Sequence, residues 1–281
     1  MEKNERAVSG ARLRAETMRP EQGTIRLRAV ALPAEHGSWG LVLEPIALGL
    51  AVAPSTAGLA IAVAAFAGFL LRRPFKVALA ARAGERPERM PVALRFIALY
   101  GAVAVLAAAA ALLLVGLAPL APTLAVSPLV LVFLAYDLRN QSRSWQPEVA
   151  GSVFFASVAA SIARAGNWPL GPALALSAAL ALRASAAVAY VRARIRLERG
   201  RPASRLGPLL AHLGALAAAA ALVAYRLLPG LALVAFGVLG ARAAVGLSSW
   251  RRPITTTRLG FTEMGYGALT VAAIAAGWYL E

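Results

Sequence analysis

Long apolar segments follow one another along most of this chain, separated by short polar connections. Nine of them are long enough to cross the ~30 Å hydrocarbon layer of a bilayer as helices. They are 38–54, 55–71, 92–117, 119–136, 149–165, 169–191, 207–227, 229–247 and 259–280. Prolines punctuate the tight connections between neighbouring segments. The pattern predicts an all-α, polytopic transmembrane helix bundle of about nine spans.

The first 31 residues differ from the rest of the chain. They are polar and of mixed charge, and no apolar stretch of the kind found in signal peptides precedes Leu32. We therefore expect 1–31 to form a disordered cytoplasmic tail and 32–281 to form one nine-span transmembrane domain.

Composition supports a membrane protein and excludes other classes. The chain is 59% hydrophobic, more than the core of a soluble domain of this size needs. It contains no cysteine, which excludes disulfides, thiolate catalysis and cysteine-bound metals.

The net charge of +16 is distributed unevenly among the connections. The basic ones are the N-terminal tail, 72–91, 137–148, 192–206 and 248–258, and they alternate with connections that are nearly free of charge. The positive-inside rule then places the N-terminus in the cytoplasm and the C-terminus outside. No basic stripe is interleaved with stacking aromatic residues, so nucleic acid is not an expected partner. The expected partners are membrane lipids.

The entrance to the first span concentrates ionisable groups. Glu35, His36 and Trp39 lie at its mouth, and Glu44 lies about two turns inside. In a helix His36, Gly40 and Glu44 share one face, and Gly40 leaves a gap between the two ionisable groups where a backbone or a ligand could approach closely. An intramembrane carboxylate indicates a functional site, with Glu35, His36 and Glu44 as catalytic candidates. Alternatively, the first two anchor the helix at the interface and Glu44 pairs with an arginine.

Two basic segments, after span 2 and after span 6, carry candidate ligand-binding residues. They contribute Arg72, Arg73, Lys76, Tyr190, Arg192, Arg194 and Arg196. Because guanidinium groups bind phosphate oxygens in a bidentate manner, the two segments together suit a phosphorylated amphiphile. The alternative is simple anchoring to anionic lipid headgroups.

The polar connection between spans 4 and 5 mixes both signs of charge. Asp137 is the sole aspartate of the chain, and Arg143 follows it closely. Asp137 is either a hydrogen-bonding base or the partner of a neighbouring arginine in an interfacial loop.

Arg183 lies near the middle of span 6, where an unpaired charge costs at least ~2.5 kcal/mol. It should therefore face the bundle interior, with Glu44 or Glu263 as its anion. The pair either fixes helix register or lines a cavity. His212, alone among alanines and leucines, is expected to be a hydrogen-bonded core residue.

Several motifs resemble the YwiC-like family of bacterial multi-pass membrane proteins. They are Pro33-x-Glu35-His36-Gly37-x-Trp39, Arg73-Pro74, the loop with Asp137, Arg143, Glu148 and Gly151, Val191-Arg192-x-Arg194, and Leu259-Gly260-x-x-Glu263. The resemblance implies a protein of the bacterial inner membrane and names no mechanism.

More distantly, the spans and their cytoplasmic loops resemble the UbiA-type intramembrane prenyltransferases. Those enzymes hold Mg²⁺ and a prenyl diphosphate on aspartate-rich motifs after spans 2 and 6. Here segments 72–82 and 190–196 contain arginines and no aspartate. The resemblance thus implies a UbiA-like arrangement without the carboxylates that Mg²⁺ requires.

These observations favour a protein that binds an anionic, phosphate-bearing amphiphile in a cytoplasm-facing cavity, with no metal or other cofactor. A transporter that uses Glu44, Arg183 and Glu263 as gating charges is an alternative. So are a divergent prenyl or acyl transferase with Glu35 and His36 as its base, and an assembly subunit. No nucleophile–base pair stands at a convincing spacing, so the sequence leaves enzymatic activity open.

Overall fold

A computed structural model of the chain describes residues 26–33, 36–139 and 144–281, and all regular structure in these ranges is helical. The side chains of residues 36, 37, 133, 134, 137 and 138 lie outside this description. The α-helices are α1 (Leu27–Ala31), α2 (His36–Val52), α3 (Thr56–Arg82), α4 (Met90–Val115), α5 (Ala121–Val126), α6 (Pro128–Leu138), α7 (Trp145–Ala165), α8 (Leu170–Glu198), α9 (Leu206–Ala224), α10 (Leu231–Leu247) and α11 (Thr256–Leu280). Two 3₁₀ turns, Pro87–Arg89 and Ala118–Leu120, complete the described elements.

The predicted all-helical membrane class is confirmed. Within the described ranges, six helices are long and apolar enough to cross a membrane, namely α3, α4 with its preceding 3₁₀ turn, α7, α8, α9 and α11. Three shorter apolar helices occupy Ser38–Val52, Ala118–Val132 and Leu231–Leu247. Each predicted span coincides with one of these nine segments, and the count of nine crossings stays a prediction.

Two basic segments predicted as loops are helical instead. Helix α3 continues through Arg72 to Arg82, and α8 continues through Arg192 to Glu198. Alanine, leucine and arginine are good helix formers, so these segments extend the helices that precede them. The consequence is that their arginines stand on rigid helical faces.

The predicted fourth span is broken into short pieces. Prolines at 119, 122 and 128 each lack a backbone N–H and favour the first turn of a helix. Helix α5 ends at Val126, and Pro128 begins α6 after Ser127.

Helices α2, α7 and α8 form the centre of the bundle. Helix α7 packs against α2, α3, α5, α6 and α8, whereas α8 also contacts α9, α10 and α11. Segment 156–163 of α7 is fully buried and consists of alanine, serine, valine and isoleucine, residues whose size lets helices approach closely. Helix α4 packs mainly on α3, and most of its surface faces outward.

Candidate functional site

A large cavity opens among α2, α3, α6, α7, α8 and α11, with a volume of about 1250 Å³. Most of its wall is apolar and includes Leu41, Phe69, Leu129, Phe154 and Phe155. The volume exceeds the ~300–1,000 Å³ typical of small-molecule pockets. Because the C-terminal halves of α3 and α8 line it, the cavity lies at the end of the bundle where the basic segments project.

Four arginines stand at the outer end of this cavity. Arg72 comes from α3, and Arg192, Arg196 and Arg199 come from the last two turns of α8 or its cap. Glu148, at the start of α7, accepts a hydrogen bond from Nη1 of Arg192 at 3.1 Å, and both side chains are partly exposed. This group of five side chains, four arginines and one glutamate, is named the arginine rim below.

A buried ion pair lies at the inner end of the cavity. Nη1 of Arg183 donates to both carboxylate oxygens of Glu44, at 2.8 and 2.7 Å. Nη2 of Arg183 donates to the backbone carbonyl of Glu263 at 2.7 Å. Arg183 is 5% exposed and the carboxylate of Glu44 lies beside it, so the pairing predicted for Arg183 is present. These contacts join α2, α8 and α11.

The buried network continues through a second arginine, Arg242 of α10. Its Nη1 pairs with the carboxylate of Glu263, and its Nη2 lies 3.1 Å from Nε2 of His212. Nδ1 of His212 lies 2.8 Å from the carbonyl of Pro208, which only accepts hydrogen bonds. His212 therefore donates through Nδ1 and accepts from Arg242 through Nε2, as a neutral core histidine.

Two tyrosine rings flank the Arg242 guanidinium. The ring of Tyr190 lies 4.2 Å from its central carbon and that of Tyr266 lies 5.0 Å away, both within cation–π distance. Two arginines and two glutamates thus balance one another's charge in the bundle and link four helices, and His212 adds a fifth. Neutralisation of this kind is what a low-dielectric interior requires.

The absence of a side chain at two glycines makes room for the Glu44 carboxylate. A Cβ atom at Gly40 would lie 2.8 Å from Oε1 of Glu44, and one at Gly267 would overlap the same oxygen and crowd Nη2 of Arg183. Sequence reasoning placed an open gap at Gly40, between His36 and Glu44. The structure fills that gap with the glutamate itself.

The structure brings part of the predicted site together. Of the predicted residues, the cavity wall includes Arg72, Arg183, Arg192, Arg196 and Glu263. Glu44 adjoins it through Arg183. Glu35 and Arg143 lie outside the described residues, as do the side chains of His36 and Asp137.

Other predicted residues stand elsewhere. Nε of Arg73 donates to the carbonyl of Ala29 at 3.0 Å and holds α1 against α3. Trp39 packs edge-on against Phe69, with ring centroids 5.5 Å apart. Lys76 is not part of the cavity wall, and Tyr190 lies beneath Arg242.

Arg194 also lies away from the cavity. It is 4% exposed, it donates to the carbonyls of Gly246 and Arg252, and it pairs with Glu198 at 3.0 Å. These contacts hold α8 against the last turn of α10 and the connection that follows it, so Arg194 has a structural role.

Sequence reasoning missed three residues of the site and its network. Arg242 gave the same signal as Arg183, an arginine within an apolar span. Arg199 stands in the basic segment after span 6, and Glu148 directly precedes span 5. Nothing in the sequence placed these last two beside Arg192.

The ionisable groups of the site suit anion binding better than metal binding. No group of three histidine, aspartate or glutamate side chains lies together within the part of the chain that the structure describes. The carboxylates of Glu44, Glu148 and Glu263 each bond an arginine. Hard cations such as Mg²⁺ require several oxygen ligands, whereas the arginine rim offers N–H donors to an anion.

The comparison with known proteins assigns a family to one segment of the chain. Residues 32–163 match the YwiC-like protein family. The predicted resemblance to this family is therefore confirmed over that segment. The YwiC-like segment contains α2 to α7 except the last two residues of α7, with Glu44, Arg72 and Glu148, while Arg183 and the α8 part of the rim follow it. No curated protein and no solved structure matches the chain significantly, and the UbiA-like arrangement stays a prediction.

Proposed function

We propose that this integral membrane protein binds an anionic, phosphate-bearing amphiphile in the cavity, directly through the arginine rim and without Mg²⁺. One observation carries the proposal, namely an apolar cavity of about 1250 Å³ whose outer end is lined by Arg72, Arg192, Arg196 and Arg199. Aliphatic and aromatic walls accept a hydrocarbon part. Guanidinium groups at the rim accept a phosphate.

The chemistry of the rim side chains supports this choice of ligand. Its four arginines line the cavity, and guanidinium groups bind phosphate oxygens in a bidentate manner. Charge-assisted hydrogen bonds from arginine to phosphate are about twice as strong as neutral ones. The inner arginine, Arg183, already has its charge neutralised by Glu44, which leaves the rim as the place for the headgroup.

The test is a titration with dodecyl phosphate, followed by native mass spectrometry of the gently solubilised protein. Uncharged dodecanol serves as the comparison ligand. The variant Arg192→Gln/Arg196→Gln removes two rim charges, and Arg82→Gln removes an exposed arginine of α3 that does not line the cavity. We expect the double variant to bind dodecyl phosphate at least tenfold more weakly, and Arg82→Gln to match the wild type.

Chelation tests the metal-free part. We expect EDTA to leave the affinity for dodecyl phosphate unchanged. A strict requirement for Mg²⁺ would overturn metal-free binding, and equal affinity for dodecanol and dodecyl phosphate would overturn the role of the rim.

We also propose that the protein lies in the inner membrane of a bacterium, with its N-terminus and the arginine rim on the cytoplasmic side. The basic segments support this orientation, since arginine-rich connections are retained in the cytoplasm.

The buried network favours one alternative, a transporter of a small solute or lipid. Arg183 and Glu263 line the cavity and belong to a charged cluster. This cluster links α2, α8, α10 and α11, the helices whose relative movement a transport cycle would require. Intramembrane charges of this kind mark ion and substrate pathways in transporters. In that case Arg183→Gln abolishes flux of dodecyl phosphate across proteoliposomes and leaves its binding unchanged, whereas a protein that only binds shows no flux at all.

A further inference from the structure

The depth of the cavity can be measured along α3, which lines one side of it. Ala64, Gly68 and Arg72 line it at intervals of four residues, which places them on one helix face at rises of about 6 Å. From Arg72 at the rim to Ala64 the cavity therefore runs about 12 Å along α3. A Cβ atom at Gly68 would meet no atom within 4 Å, so the space before this glycine is open.

Aromatic and aliphatic side chains face this open space from α6 and α7. Leu129 and Val130 of α6 and Phe154 and Phe155 of α7 line the same cavity. Phe155 stands edge-on to Phe69 of α3, with ring centroids 5.9 Å apart, and edge-on to Phe154 at 5.3 Å. The small residues of α3 and the rings of α7 thus form two walls of an apolar chamber.

The chamber ends where α3 and α7 come into direct contact. Ala57, Ile61 and Ala62 of α3 pack against Val158 and Ile162 of α7 in a buried cluster. Ile61 lies one turn beyond Ala64 toward the start of α3. The chamber therefore has a rim of arginines, apolar walls and a closed inner end, which gives it a finite depth.

We propose that this chamber holds one alkyl or prenyl chain of a phosphate monoester, with Gly68 keeping the path to its inner end open. The inference rests on the proposed function and specifies its ligand class. The phosphate binds at the arginine rim, and the chain extends past Gly68 toward Ala64. A side chain at position 68 projects into the space that the hydrocarbon occupies and shortens the chamber without touching the rim.

The experiment compares Gly68→Leu with Gly101→Leu. Gly101 is a matched control, because it also lies inside a helix, meets no atom within 4 Å of an added Cβ and does not line the cavity. Dissociation constants for hexyl, octyl, dodecyl and hexadecyl phosphate are measured in one detergent. Since all variants share the same partitioning of ligand into micelles, the ratio of variant to wild-type constants reports the cavity alone.

Each methylene that loses its place in the chamber weakens binding by about fourfold. For Gly68→Leu we expect a ratio within twofold of unity for hexyl phosphate, rising to roughly tenfold or more for dodecyl phosphate. For Gly101→Leu the ratio stays near unity for every chain. A Gly68→Leu ratio that is the same at all chain lengths overturns the inference.

Failure of the inference is distinguishable from failure of the proposed function. If Arg192→Gln/Arg196→Gln loses dodecyl phosphate while Gly68→Leu shows no dependence on chain length, the rim binds phosphate and the chamber does not hold the chain. If the wild type binds none of the phosphates more tightly than dodecanol, the proposed function itself is wrong.

Discussion

At the scale of single residues, the ion pair between Glu44 and Arg183 depends on the absence of a side chain at Gly267. Gly267 of α11 faces the pair, and a Cβ there would overlap the Glu44 carboxylate. Gly265, two positions earlier on the same helix, is exposed and meets no atom within 4 Å of an added Cβ. The two glycines therefore form a matched pair for mutation.

We expect Gly267→Ala to lower the free energy of unfolding by about 1–3 kcal/mol, since the added methyl displaces a buried charged group. Gly265→Ala should be neutral or stabilising by up to about 1 kcal/mol, because alanine has the higher helix propensity. Thermal unfolding of the solubilised variants measures both. Equal effects at the two positions would show that the ion pair tolerates displacement.

The same residues show how far sequence reasoning reaches at this scale. An arginine in the middle of a span must find an anion, so the sequence predicts a partner for Arg183 and limits the choice to Glu44 and Glu263. The structure uses the first through its side chain and the second through its carbonyl. The role of Gly267 was beyond prediction, because it depends on the rotation of α11 about its own axis, which only packing fixes.

At the scale of secondary-structure elements, α8 carries two kinds of arginine on two faces. Arg194 is buried and bonds the carbonyls of Gly246 and Arg252, while Arg196, two positions on, is exposed and lines the cavity. Residues two apart on a helix do not share a face, so the two side chains have separate neighbours. Their substitution separates stability from ligand binding.

We expect Arg194→Ala to cost about 2–4 kcal/mol of unfolding free energy, since it removes a buried guanidinium that donates charge-assisted hydrogen bonds to two backbone carbonyls. Arg196→Ala should change stability by no more than about 0.5 kcal/mol and weaken binding of dodecyl phosphate. Thermal unfolding and the native mass spectrometric titration, run on both variants, give the two readouts. A destabilised Arg196→Ala with a fully stable Arg194→Ala would contradict the placement of the two side chains.

Elements differ in how well the sequence predicts them. Long apolar segments such as α4 and α9 follow directly from hydropathy. The helical continuations of α3 and α8 do not, because an Arg-rich, Ala-rich segment reads equally as a charged loop or as a helix that leaves the membrane. This ambiguity matters, since Arg194 was predicted together with Arg192 and Arg196 as a ligand-binding residue, and only the helical phase separates them.

At the scale of the whole molecule, alternation of charge along the sequence predicts the membrane topology. The connection after α3 contains Arg86 and Arg89, and the segment before α11 contains Arg251 and Arg252. By contrast, the connection after α2 carries no charge. The basic loops are therefore predicted to lie on the cytoplasmic side of the membrane and the uncharged loops on the opposite side.

Topology reporters test the predicted count of crossings as well as its orientation. Between the exposed connection at Gly84 and the end of α11 lie seven predicted crossings, an odd number that places these two points on opposite sides. We expect a fluorescent protein that matures only in the cytoplasm to light up when inserted at Gly84 and to stay dark when fused after Leu280. A phosphatase that requires an oxidising compartment should give the reverse pattern. If both points report the same side, one of the two short apolar helices between them, Ala118–Val132 or Leu231–Leu247, does not cross, and the prediction of nine spans is wrong although the helical fold stands.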